Sequence, residues 1–95
     1  MAYPKKIVLY CPQGYDPRLD SLVEQFIHDG VTFVAVVGED CDQIEEIIDE
    51  LVVNLGSSDC DILTSSHPNE SVEEVLRFAD SLTGTYNGKC RIVEL

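Results

Sequence analysis

A three-layer α/β/α domain on a four-stranded parallel sheet is the fold class that the sequence predicts, and three observations predict it. Four short β-prone runs recur, at Ile7 to Tyr10, Val31 to Val37, Cys60 to Ser65 and Cys90 to Leu95. Three stretches with apolar residues at helical spacing lie between them. The resulting order βαβαβαβ is that of parallel pairing through right-handed crossovers, which places helices on both faces of the sheet.

The run Lys5 to Cys11 holds the first strand, continuously apolar from Ile7 to Tyr10, too short for a buried helix and rich in branched residues. Cys11-Pro12-Gln13-Gly14 ends it. Asp16 then offers an N-cap acceptor ahead of Pro17, at a position where proline loses no hydrogen bond. Leu19, Leu22, Val23, Phe26 and Ile27 form the apolar stripe of a helix expected over Pro17 to Asp29. Gly30 supplies the positive φ that closes it, and His28 sits where the helix dipole favours a cation.

Val31 to Val37 is apolar at nearly every position, as expected of a strand covered on both sides. Gly38 to Asp42 turns the chain. Ile44, Ile47, Ile48, Leu51, Val52 and Leu55 then define a second amphipathic helix with Glu45, Glu46, Asp49 and Glu50 outside, ended by Gly56. The third strand, Cys60 to Ser65, is shorter and more polar, with Ile62 and Leu63 as its strongly apolar members.

After Ser66-His67-Pro68-Asn69, the order Ser71-Val72-Glu73-Glu74 matches a capping box, and Val72, Val75, Leu76, Ala79 and Leu82 make a third apolar stripe. Gly84 is the expected C′ residue. Asn87-Gly88 marks a tight turn into the last strand, Cys90 to Leu95. The fully apolar first and second strands belong inside the sheet, which favours the order 3-2-1-4 over the alternative 2-1-3-4. Ile7, Leu9, Phe33, Ala35, Val36, Ile62 and Ile92 are the expected core. The alternation resembles small Rossmann-like and flavodoxin-like domains, a likeness of architecture that carries no function with it.

A chain of 95 residues fits one domain, residues 1–95, and leaves little room for a large buried cofactor, so none is expected. Eighteen acids against six Lys and Arg give a formal charge of −12, which disfavours nucleic acid and anionic membranes as partners. Solubility accounts for most of this acidity; a basic protein partner, a cation or salt adaptation are the other readings. No secretory pattern stands at the start and no apolar run approaches the roughly 20 residues of a membrane span. Cys11, Cys41, Cys60 and Cys90 stand singly with no C-x-x-C pair, as in a cytoplasmic protein with reduced thiols. Lys5, Lys6, Lys89 and Arg91 enter the first and fourth strands, so they are expected to form one basic patch at the amino end of the sheet.

Both strand orders reverse chain direction beside the first strand, and ligands of open α/β sheets bind at the carboxyl ends there. The candidate edge therefore comprises Cys11, Gln13, Tyr15 and Asp16 from the first loop, Glu39, Asp40 and Asp42 from the second, and Ser65 and His67 from the third. Structure alone explains several of them, since Asp16, Asp40 or Asp42, and Asn69 or Ser71 stand where helices need caps.

Complete chemistries do not assemble from these residues. A phosphatase-like cradle needs its cysteine and arginine one residue closer than Cys11 and Arg18, which have six residues between them, and Asp16 would repel the phosphate. Tyr10-Cys11-Pro12 lacks the second cysteine of a redox pair, and Gly14 is alone where a dinucleotide fingerprint needs three glycines. Acids from the first two loops offer oxygen ligands to a cation without matching an EF-hand. His67, flanked by two serines, is expected as a surface residue of the loop, with a Ser-His or Cys-His pair across loops as the conceivable chemistry. The expectation is a non-catalytic protein-interaction or regulatory module, working as a homodimer or with an unknown protein partner. The alternative is a small-ligand- or cation-binding domain, or a small enzyme, using the carboxyl-end loops.

Overall fold

The computed structural model describes residues 3–55, 62–81 and 90–95. Strands β1 (Lys6–Cys11), β2 (Phe33–Gly38), β3 (Leu63–His67) and β4 (Cys90–Glu94) alternate with helices α1 (Arg18–Asp29), α2 (Cys41–Leu55) and α3 (Val72–Asp80). All pairings are parallel and the strand order is β3-β2-β1-β4, the order that burial of the two most apolar strands favours. Gly56, Cys60, Leu82, Gly84, Asn87, Gly88 and Lys89, each assigned a role from sequence, lie outside the described residues.

From β1 the chain steps twice in one direction across the sheet, then returns past β1 to place β4. Crossovers of one hand put the helices of the first two steps on one face and the helix of the return on the other. Ile7, Leu9, Cys11, Val34 and Val36 accordingly pack against Leu19, Val23 and Phe26 of α1 and Ile44 and Ile48 of α2. Val8, Phe33, Ala35 and Val37 meet Val75 and Ala79 of α3. Among the described residues α3 is the one helix on its face, and it covers the centre and not the flanks. Ile92, expected in the core, is therefore 44% exposed on β4, and Leu63 is 48% exposed on β3.

Local signals act largely as expected. Gly30 closes α1 at φ 79°, and Ser71 and Glu74 form the reciprocal capping box of α3. Helix α1 begins one residue late, at Arg18, with the Asp16 carboxylate accepting from the Arg18 N–H at 2.8 Å. Strand β2 begins at Phe33, because the N–H of Val31 still bonds back to the carbonyl of Phe26.

Strand β3 is the larger correction: it starts at Leu63 and runs through His67, where Cys60 to Ser65 was expected. Ladder pairing with β2 takes polar residues into strand conformation when a partner is in register, and Val37 is opposite His67. The basic patch is corrected as well. Lys6 is fully buried under α3, while Arg91 lies over the ring of Tyr3 at 5.3 Å. No described helix is long and apolar enough to cross a membrane.

Candidate functional site

The first two loops are joined through one carbonyl. Cys11 O accepts from the N–H of Gly14 at 3.3 Å and of Glu39 at 2.9 Å. Gly38, in register with Cys11, has φ 118°, and a Cβ there would stand 2.4 Å from that oxygen. Gly14 takes φ 83° beneath the Asp40 carboxylate, and Asp40 itself is left-handed at φ 55°. Glycine is thus needed where two strand ends converge beside the reversal of chain direction.

Each expected site residue now has a place. Cys11 is buried, and burial foremost, with Cys41 and Asp16 nearby, pushes its thiol up to about 11, the opposite of an activated nucleophile. Asp16 pairs with the Arg18 guanidinium at 3.0 and 3.1 Å, and that hydrogen bonding holds its carboxyl below the usual range. Gln13 and Tyr15 are exposed, as are Glu39 and Asp40. Asp42 is in the first turn of α2 and accepts from the Ser66 hydroxyl instead of capping the helix. Among the described residues no three of the His, Cys, Asp and Glu side chains converge as a metal site.

His67 is not a surface loop residue: it is 9% exposed at the end of β3, under Phe78 with ring centroids 5.1 Å apart. Its Nδ1 is 2.6 Å from Glu70 Oε2, and its Nε2 is 2.8 Å from Ser65 Oγ. A carboxylate can only accept, so in the neutral ring Nδ1 carries the proton and Nε2 accepts from the Ser65 hydroxyl. The Ser-His pair therefore forms within one strand rather than between loops, and Glu70 orients it. Glu70 was absent from the sequence-derived set; its spacing of three from His67, across a turn, is the signal that could have found it.

Among the described residues, three shallow clefts open at this end of the sheet. One of about 470 Å³ runs from Tyr10, Val37 and Glu39 to Asn69, Glu70 and Val72. A second, about 360 Å³, lies along Glu39 to Gln43 and Asn69. The third, about 350 Å³, is at the switch point between β1 and β4, lined by Gln13, Tyr15, Asp16, Arg18 and Glu94. Each contains one or more carboxylates, and Arg18, the cation at the third, is already engaged by Asp16. Anionic ligands are poorly matched to these walls.

A family model describes residues 2–93, nearly the whole chain. The chain belongs to a domain family of unknown function, DUF7684. Comparison with curated proteins and with solved structures gives no match. Membership in DUF7684 leaves the chemistry to be argued from the residues themselves.

Proposed function

We propose that this DUF7684 domain is a non-catalytic protein-interaction or regulatory module that associates through the β4 edge of its sheet, as a homodimer or with a protein partner. The observation that carries this reading is Ile92, 44% exposed on an edge strand. Leu95 N–H donates to Tyr10 O at 2.9 Å, so Arg91, Val93 and Leu95 face β1 with their backbone groups, and Cys90, Ile92 and Glu94 turn theirs outward. An apolar side chain beside open N–H and C=O groups is a template for another strand. Arg91 and Glu94 put charge on the edge, which is how monomeric proteins discourage such pairing. Sedimentation velocity at micromolar concentration, with and without high salt, decides between these. A concentration-dependent dimer lost in Ile92→Lys supports the proposal, and a monomer throughout overturns its self-association half. A cytoplasmic location belongs to the same reading, supported by the free thiols of Cys11, Cys41 and Cys90.

The Ser65, His67 and Glu70 series favours a second reading, a small-ligand- or cation-binding domain or small enzyme at the carboxyl end. Its order of hydroxyl, imidazole and acid is that of acyl-transfer sites. The histidine's burial under Phe78 weighs against it. Thermal shift with divalent cations, nucleotides and sugar phosphates, together with a fluorophosphonate probe, tests this reading. Stabilisation lost in Asp16→Ala or Asp40→Ala, or labelling lost in Ser65→Ala, would replace the first reading with the second.

A further inference from the structure

We infer that the opposite edge, β3, is a docking site for an extended segment of another protein in which basic and apolar residues alternate. This rests on the reading of the domain as an interaction module but uses neither β4 nor Ile92.

Strand β3 ends the sheet order, and among the described residues no strand pairs with its outer side. Leu63 N–H donates to Thr32 O at 2.9 Å, so Leu63, Ser65 and His67 turn their backbone groups toward β2. Thr64 and Ser66 therefore turn theirs outward, two N–H and two C=O groups at the spacing of an incoming strand.

The two faces beside this edge differ in chemistry. On one, the Thr64 hydroxyl lies 2.7 Å from Asp49 Oδ1 and 3.3 Å from Glu45 Oε1, and the Ser66 hydroxyl bonds Asp42. Three carboxylates of α2 thus stand directly over the strand. Their hydrogen-bond donors here are neutral hydroxyls, and neither the Arg18–Asp16 ion pair nor the His67–Glu70 contact of the described residues involves them. On the other face Leu63 is 48% and Phe78 41% exposed, with Phe78 resting on His67 and Phe33.

Successive side chains of an added strand point to opposite faces. One set would meet carboxylates that lack a cation, the other would meet Leu63 and Phe78. Alternating Lys or Arg with Val, Ile or Leu satisfies both, while main-chain hydrogen bonds supply the attachment. A second copy fits poorly, because pairing β3 with β3 brings the same three acids from each side in a chain of formal charge −12. The edge also lacks the lysine or proline with which exposed strands are usually protected.

The test is fluorescence anisotropy of the full chain with three labelled peptides of equal composition and charge. The first is Lys-Val-Lys-Val-Lys-Val-Lys, the second carries the four lysines in a block before the three valines, and the third is the first with alternate backbone nitrogens methylated. The alternating peptide is expected to bind at least about tenfold more tightly than the other two, which separates strand addition from attraction to an acidic surface. Ser66→Pro removes an outward N–H without touching the ladder to β2, and Phe78→Ala removes apolar contact without touching the backbone. Each is expected to lower affinity about fivefold or more, with the thermal melt of each variant checking its fold. Equal binding of all three peptides overturns the inference, as does undiminished binding by both folded variants. Concentration-dependent self-association abolished by Ser66→Pro also overturns it, with a second copy as the occupant. Loss of β4 association in Ile92→Lys leaves this result unaffected, so the two edges fail or stand separately.

Discussion

The Nζ of Lys6 donates to the main-chain oxygen of Ala79 at 2.7 Å, and both residues are fully buried. Ala79 lies in the last turn of α3, where helix carbonyls lack partners and the dipole is negative, so an ammonium is satisfied there without a carboxylate. Lys6→Ala is expected to cost about 2 to 4 kcal/mol, from a charge-assisted hydrogen bond and the packing of the side-chain stem. Lys6→Met, which keeps the stem, should cost less. Urea unfolding measures both, and a loss below about 0.5 kcal/mol for the alanine variant would show that the contact contributes little.

Gly38 is the position least tolerant of a side chain. A Cβ would stand 2.4 Å from Cys11 O in a backbone of φ 118°, so both the space and the conformation are wrong for alanine. Gly38→Ala is expected to cost about 3 kcal/mol or more, combining backbone strain with overpacking. Gly30→Ala meets nothing within 4 Å and pays chiefly for its positive φ, so it should be the milder variant by urea unfolding.

Thiol chemistry should be slow in the native protein. With Cys11 pushed up to about 11, roughly one thiolate in a thousand is present at about pH 8. Burial likewise raises Cys90. Mass spectrometry after brief iodoacetamide treatment should find Cys11 unmodified in the folded chain. In denaturant without reductant all four cysteines should react, and fewer than four would reveal a disulfide and contradict a reduced environment.

Stability should fall in acid partly through Asp29. Its carboxylate accepts from the Tyr3 N–H at 2.9 Å and from Gln25 at 2.9 Å, and the first of these chiefly holds its pKa below 3.8. The unfolded chain then takes up this proton at higher pH than the folded one. The stabilisation is complete above the unfolded value and disappears as pH falls through the folded one. Asp29→Asn should therefore lower the urea midpoint at about pH 6, and its gap to wild type should narrow as the pH falls below 3.8. A gap between the two that does not narrow in acid would refute the assignment.

The elements were legible because each depends on a short repeat. Period 3.6 picks out Leu19, Val23 and Phe26 of α1, and the uninterrupted run from Phe33 to Val37 requires a strand with both faces covered. The order β3-β2-β1-β4 followed from the need to bury the most apolar strands. The carboxyl-end loops were legible as an edge from topology alone. Which side chains meet there was not, since Glu70 reaches His67 only because the turn after β3 brings it back.

What the sequence by itself determined is therefore the set of elements, their buried faces and the central pair of strands, all consequences of apolar periodicity and burial. Tertiary structure alone decided the rest. It extended β3 through His67, because register with Val37 outweighs weak local preference. It took Lys6 out of a surface patch and under α3, because a helix end supplies acceptors that no strand pattern announces. It also exposed Ile92 and Leu63, because α3, the one helix on that face among the described residues, is narrower than the four strands beneath it.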